Sequence, residues 1–294
     1  MLDRQGINIR PVSKRQRKIK QEFYNLLVYF LVLIFFLPVL WIIMTAMRPE
    51  VEVNARPPVY IPSRLSIETF AQLLGASHTE KSIPFYSYLK NSLLTSIFST
   101  FLALVTGTFA GYSFARFRFK GGNQLFIGMM LARSIPGISV SLPLFVIFAR
   151  TGLLDRISGL ILVYTAMTIP FTTWLMQGFF KDIPSTLDEA AQIDGCSRWQ
   201  AFLRIDLPLA LPGLAASGIF AFLTSWNEFQ IASVITRTPL SKTFPVGLYD
   251  FTQEFTIDWR GMCAMSVIML IPAIFFVLLT QKQLIKGLTF GAIK

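Results

Sequence analysis

Residues 185–208 read Ser-Thr-Leu-Asp-Glu-Ala-Ala-Gln-Ile-Asp-Gly-Cys-Ser-Arg-Trp-Gln-Ala-Phe-Leu-Arg-Ile-Asp-Leu-Pro. They form a short polar island between two long apolar segments. The spacing predicts a helix, a tight turn and a second helix. Ser185 follows Pro184 and has Asp188 three residues on, which reads as a capping box. Leu187, Ala190, Ala191 and Asp194 fall at i, i+3, i+4 and i+7 and so share one face. The two alanines leave that face thin, so another surface can approach closely. Gly195 is placed to end the first helix in a left-handed conformation. Ser197 and Gln200 make a second capping box, Trp199, Phe202 and Leu203 form an apolar face, and Pro208 is expected to end the second helix. Such an amphipathic hairpin needs a partner surface.

The flanking segments set the class. The chain has 294 residues, is 53% hydrophobic and has a mean hydropathy of +0.55. That is too apolar for a soluble domain of this size and fits an all-α, polytopic membrane protein. Residues 1–22 are a basic tail, 23–47 a first transmembrane helix, and 48–88 an external loop. In that loop a short interfacial helix is expected over 66–74, ended by Gly75, and His78 reads as a surface residue. Residues 89–280 hold five more spans, near 89–114, 124–148, 159–180, 209–234 and 262–279, with the hairpin 185–208 between the fourth and fifth. Residues 281–294 are a basic tail. In the second span Ala103, Gly107 and Gly111 recur every four residues, a small-residue stripe for close helix packing. Pro136, Pro143, Pro170 and Pro272 fall inside spans and read as hinges or as packing kinks.

Charge orients the spans. With the N-terminus inside, both termini and the hairpin are cytosolic. The segments then inside carry sixteen Lys and Arg, against nine in the loops then outside. That bias supports the orientation. The net charge of +11 accordingly reads as topology, not as nucleic-acid binding. Cys196 and Cys263 are expected on opposite sides and unpaired, and no metal-ligand spacing occurs. There is no Gly-rich loop ending in Gly-Lys-Ser/Thr and no catalytic Ser/His/Asp or Cys/His set, so no enzyme is read here. If ATP drives the system, another chain binds it.

The polar groups at membrane depth are the candidate solute contacts. Arg133 lies nine residues inside the third span from Gln124, roughly 13 Å deep. A lone arginine there is costly and faces protein or a water-filled cavity, as a substrate contact, a gate or a structural group. Trp226, Asn227 and Glu228, near the outer end of the fifth span, read as an interface anchor with a polar pair, or as stacking and hydrogen bonding for a sugar. Trp174 and Gln177 are candidates of the same kind.

Glu189-Ala190-Ala191, three residues, Gly195, nine residues, then Ile205-x-Leu207-Pro208 resembles the coupling loop of bacterial ABC-importer permeases. The Tyr-Ser-Phe-Ala-Arg-Phe-Arg-Phe segment at 112–119, the Trp-Asn-Glu-Phe stretch at 226–229 and Gly287-Leu288-Thr289-Phe290-Gly291 look like the smaller, six-span permease of the maltose-transporter type. This resemblance implies the type I importer fold and a carbohydrate substrate, moved by alternating access. It implies assembly in the bacterial cytoplasmic membrane with a second, homologous permease, two ATP-binding subunits that hold the ATP and Mg, and an external solute-binding protein. The hairpin would dock on an ATP-binding subunit, the tail 281–294 would reach between those subunits, and the loop 236–260 would touch the solute-binding protein. Arg133 departs from the family pattern, which has an uncharged residue there, and is similar in this to permeases for acidic polysaccharides such as alginate. Polyamines and other small solutes are the other substrates of chains sharing the coupling loop. A secondary transporter or channel would need ion-coupling carboxylates deep in the spans, and none is found.

Overall fold

Uninterrupted apolar runs become long helices because a bilayer leaves the backbone no partner but itself. The computed structural model describes residues 14–75, 83–252 and 256–291. His78 and the first thirteen residues lie outside the described residues. In chain order the main helices are α1 (Lys14–Met47), α2 (Glu68–Leu73), α3 (Phe85–Arg116), α4 (Gly122–Arg133), α5 (Gly137–Thr151) and α6 (Ile157–Asp182). They continue with α7 (Ser185–Ile193), α8 (Arg198–Leu209), α9 (Leu211–Trp226), α10 (Gln230–Ile235) and α11 (Trp259–Gly291). Among the described residues, α1, α3, α6 and α11 are each long and apolar enough to cross a membrane. Two bent pairs, α4 with α5 and α8 with α9–α10, bring the number to six when each counts as one passage.

The centre is the packing of α3 on α6. A Cβ on Gly107 would sit 2.5 Å from Cγ2 of Thr172, and one on Gly111 would sit 2.7 Å from Cβ of Met176. Ala103 is fully buried on the same stripe. The small residues therefore bring the two backbones close, as the spacing predicts. The seam is rich in hydroxyls: Thr95, Ser96, Ser99, Thr168, Thr172 and Thr173 are all buried. Several bond back to carbonyls one turn earlier, as Thr95 does to Asn91 and Thr168 to Tyr164. Helix α9 closes the bundle, with Ser99 bonding Ser225 at 3.0 Å. Helix α1 is exposed over most of its length; among its described side chains Thr45 and Ala46 near its end are buried, as is Arg48 just beyond it. Its described part already includes Lys14 of the basic tail, so the helix extends N-terminal to Phe23.

Two local expectations are corrected, and the break of the third span is located. Ser185 does not cap α7: Pro184 precedes the helix, Ser185 is its first helical residue, and no side-chain capping bond forms. The Asp188 carboxylate of the expected box is drawn instead to Arg116. Pro208 does not end the second hairpin helix. Residues Phe202–Asp206 form a π turn in which the Leu207 amide bonds the Phe202 carbonyl. The wider turn accommodates the proline, and the helix runs on to Leu209. The third span breaks at Pro136 and Gly137, as their residue types suggest, and not at Pro143. It breaks between α4 and α5 by 94°, at Ser134–Pro136, where the residue before a proline leaves helical geometry. Pro143, Pro170 and Pro272 are held inside unbroken helices.

Candidate functional site

The hairpin stands on a cluster of aromatic and aliphatic side chains. Met176, Phe180, Ile183, Phe202 and Ala210 are buried together, with Tyr112 and Leu207 packed against them. The Tyr112 ring lies 4.6 Å from Phe202 and 5.3 Å from Phe180, centroid to centroid. The turn between the helices forms as its residues dictate. Gly195 has φ +88°, and Ser197 and Gln200 bond reciprocally in a capping box. The expected single face of α7 is divided in two. Ala191 is buried, whereas Leu187, Ala190 and Asp194 are exposed. Glu189 is exposed beside Ala190, and Ile193 is 86% exposed. The apolar face of α8 divides likewise: Phe202 is buried, while Trp199 is 56% exposed and stacks over Phe109 and Phe202. Ile205 and Leu207 are half-buried and Pro208 exposed. The hairpin thus presents Glu189, Ala190 and a rim of apolar side chains outward.

Arg116, at the last turn of α3, holds the hairpin from within. Its guanidinium contacts Asp206 at 2.9 Å, Asp188 at 3.1 Å and the Ile183 carbonyl at 3.1 Å. Asp206 is fully buried. Desolvation, then the neighbouring Asp206, pushes the Asp188 carboxyl up to about 6 against the pull of Arg116. In the sequence Arg116 stands only as part of the 112–119 segment, and nothing there announces this role; its two acids are 72 and 90 residues away.

The second feature is a cavity of about 440 Å³ at the break between α4 and α5. Non-helical backbone at membrane depth is tolerated where it is covered by protein or lines a wet cavity. Ile135 and Gly137 of the break line this one, with Pro170, Phe220, Thr224 and Gln230 across from them. Arg133 ends α4 at its edge. Its Cζ lies 4.5 Å from the Phe171 ring and 4.9 Å from the Phe220 ring. Trp174 is 48% exposed and lies 5.4 Å from the same Phe171. Arg133 and Trp174 are therefore brought to one aromatic group.

The other candidates fall elsewhere. Trp226 is 1% exposed, and its indole N–H donates to the Met269 carbonyl at 3.1 Å. It is a packing residue against Phe222 and Phe244, not an interface anchor or a stacking platform. Glu228 accepts from the amides of Ile231 and Ala232 and from the Tyr164 hydroxyl, so it caps α10. Asn227 donates to the Leu223 carbonyl, and Gln177 to that of Phe114 at 3.5 Å. On the opposite end, Asp155 accepts from the amides of Arg237 and Thr238 and the hydroxyls of Thr238 and Ser241. It staples the α5–α6 loop to the segment after α10.

Residues 103–289 match the family of binding-protein-dependent transport system inner membrane components. The chain belongs to that family. It is 33% identical over 91% of its length to the diacetylchitobiose uptake system permease protein DasC of Streptomyces coelicolor, covering 94% of that protein. It is 34% identical over 88% of its length to the trehalose transport system permease protein SugB of Mycobacterium tuberculosis, covering 92% of it. In fold it is similar to a chain of a bacterial ABC transporter involved in the import of the acidic polysaccharide alginate, at 20% identity and a TM-score of 0.74, covering 93% of this chain and 99% of that one. The fold is that of type I ABC-importer permeases, and the family is one of transporters, not enzymes.

Proposed function

We propose that this chain is the membrane subunit of an ATP-driven importer that carries a carbohydrate across a bacterial cytoplasmic membrane. The observation that carries the reading is the hairpin 185–208. It is fixed from inside by Arg116 and the Phe202 cluster, yet presents Glu189, Ala190 and Ile193 to a partner. In this reading both termini are cytosolic and an ATP-binding subunit docks on that face. A second, homologous permease completes the membrane path, two ATP-binding subunits hold ATP and Mg, and an external binding protein delivers the solute. Closure of the ATP-binding subunits moves the hairpin, and Arg116 passes that motion to α3. The saccharide class is supported by the relatives named for diacetylchitobiose and trehalose uptake. A polycation such as a polyamine does not suit a cavity whose one charged lining residue, among the described residues, is an arginine.

Cross-linking tests the docking. Cys196 and Cys263 are both free and must first be replaced by Ser. A Cys introduced at Ala190 then cross-links to the ATP-binding subunit in the assembled complex. An active complex that gives no such cross-link refutes the docking face. Glu189→Gln, in the same assembly, uncouples ATP hydrolysis from uptake more than it weakens assembly.

A further inference from the structure

We propose that the cavity at the α4–α5 break takes the carboxylate of an acidic saccharide on Arg133, an inference that rests on the carbohydrate reading above. The guanidinium lies over the Phe171 and Phe220 rings, whose centroids are 3.8 Å apart. The rings meet the guanidinium carbon and use none of its N–H donors as hydrogen-bond partners. Among the described residues those donors make no ion pair and no hydrogen bond: the salt bridges use Arg116, Lys242 and Arg260. Arg133 is exposed at the edge of the cavity, open to an approaching anion or water, and at membrane depth its donors call for one of the two. The rings fix its position, so little side-chain freedom is lost when an anion binds.

The surroundings fit a sugar that bears such an anion. The cavity, about 440 Å³, falls in the size range of small-molecule sites. Thr224 and Gln230 bring hydroxyl and amide groups to its wall, suited to sugar hydroxyls. Gln230 is held close by the missing side chain of Gly137, where a Cβ would lie 2.9 Å from its Oε1. Trp174 offers an exposed aromatic face beside Phe171, the kind of surface on which an apolar sugar face stacks. The planar, two-pronged guanidinium matches a carboxylate better than a hydroxyl.

The test uses the full transporter, this chain assembled with its partner subunits in proteoliposomes. Two labelled oligosaccharides of equal length are compared, one neutral and one built of uronates. Arg133→Gln is expected to lower the ratio of uronate to neutral uptake about tenfold or more, the loss of one charge-assisted pair. Arg133→Lys, which keeps the charge and membrane insertion, is expected to fall between. Equal loss of both uptakes, or an unchanged ratio in both variants, overturns the inference. Wild-type uptake of the neutral sugar alone also overturns it and leaves the carbohydrate reading standing. Wild-type uptake of neither sugar, with another solute carried, defeats the carbohydrate reading itself.

Discussion

Nη2 of Arg116 lies 2.9 Å from Oδ1 of Asp206, a side chain with no exposed surface, and so ties the end of α3 to the second helix of the hairpin. The same guanidinium reaches Asp188 of the first helix through Nε at 3.1 Å, but without hydrogen-bond alignment. Asp188 Oδ1 and Asp206 Oδ2 are left with no hydrogen-bond partner among the described residues. Two acids share one arginine, and Asp206 has the better half. Asp206→Asn, which strips the buried partner, is expected to cost about 3–5 kcal/mol. Asp188→Asn is expected to cost under about 1 kcal/mol, since it also relieves the repulsion between the acids. Thermal unfolding of the detergent-solubilised protein checks the order. Equal losses would show that the two contacts are equivalent.

The shared arginine also sets a pH dependence. Asp188 is raised to about 6 from an ordinary 3.8, by desolvation first and then by Asp206, with Glu189 adding repulsion and Arg116 opposing. The folded hairpin therefore binds the proton more tightly than the unfolded chain. This contribution to stability is complete below about pH 4 and is lost as pH rises through 6. Amide exchange in α7, corrected for its intrinsic rate, is expected to show weaker protection at pH 7 than at pH 5. In Asp188→Asn the difference should vanish. A slope that survives the substitution assigns the dependence to another group.

Gly107 tests the central helix pair. An alanine there would place Cβ 2.5 Å from Thr172 Cγ2 and 2.8 Å from Thr172 Cβ, both on a packed backbone-to-backbone contact. Gly107→Ala is expected to destabilise by about 1–3 kcal/mol through overpacking. Adding Thr172→Ser removes the nearer atom but not the farther, so rescue should be partial. A double mutant as unstable as the sum of the two single changes would place the strain elsewhere.

What was legible in the sequence was local. Ser197, Gln200 and Gly195 declare a cap and a turn within six residues, and the structure has both. Ala103, Gly107 and Gly111 state their face by period alone. Pro136 and Gly137 announce an interruption, though not an angle of 94°. The capping role assigned to Ser185 failed because Asp188 found a stronger, distant partner in Arg116. Trp226 illustrates the same limit. Whether an indole anchors at an interface or packs inside depends on Phe244 and Met269, which the chain supplies from later segments. The aromatic group around Arg133 likewise joins α4, α6 and α9, so Arg133 and Trp174 were visible in advance as separate candidates, but not that Phe171 and Phe220 bring them together.

Gly195 and its neighbours separate strain from crowding. Its φ of +88° disfavours any Cβ, yet nothing lies within 4 Å of where one would stand. Gly195→Ala is therefore expected to cost on the order of 1 kcal/mol from backbone strain alone. Gly195→Asn should cost less, because asparagine tolerates the left-handed region. If both cost several kcal/mol in thermal unfolding, the turn is crowded by a partner subunit.

Asp155 makes the opposite case, a non-glycine residue held at φ +57° because its carboxylate is worth the strain. Burial pushes that carboxyl up, but hydrogen bonds from the Ser241 hydroxyl, the Thr238 amide and hydroxyl, and the Arg237 amide outweigh it and bring it down to about 2. The ionised group is thus favoured in the folded state. Its stabilisation is present above about pH 4 and is lost as pH falls toward 2. Asp155→Gly removes the carboxylate while relaxing the backbone, and is expected to cost about 2 kcal/mol, moderated by the group's partial exposure. Asp155→Ala removes the same bonds and keeps the strained φ, so it should cost about 1 kcal/mol more. Unfolding followed at pH 7 and near pH 3 separates the contributions: the gap between wild type and Asp155→Gly should narrow in acid, by about half at pH 3, while the gap between Gly and Ala persists. Were the Gly variant as stable as wild type at pH 7, the carboxylate would hold nothing, and the rigidity of the segment after α10 would rest on Asn91, which donates to the carbonyls of Pro239 and Lys242.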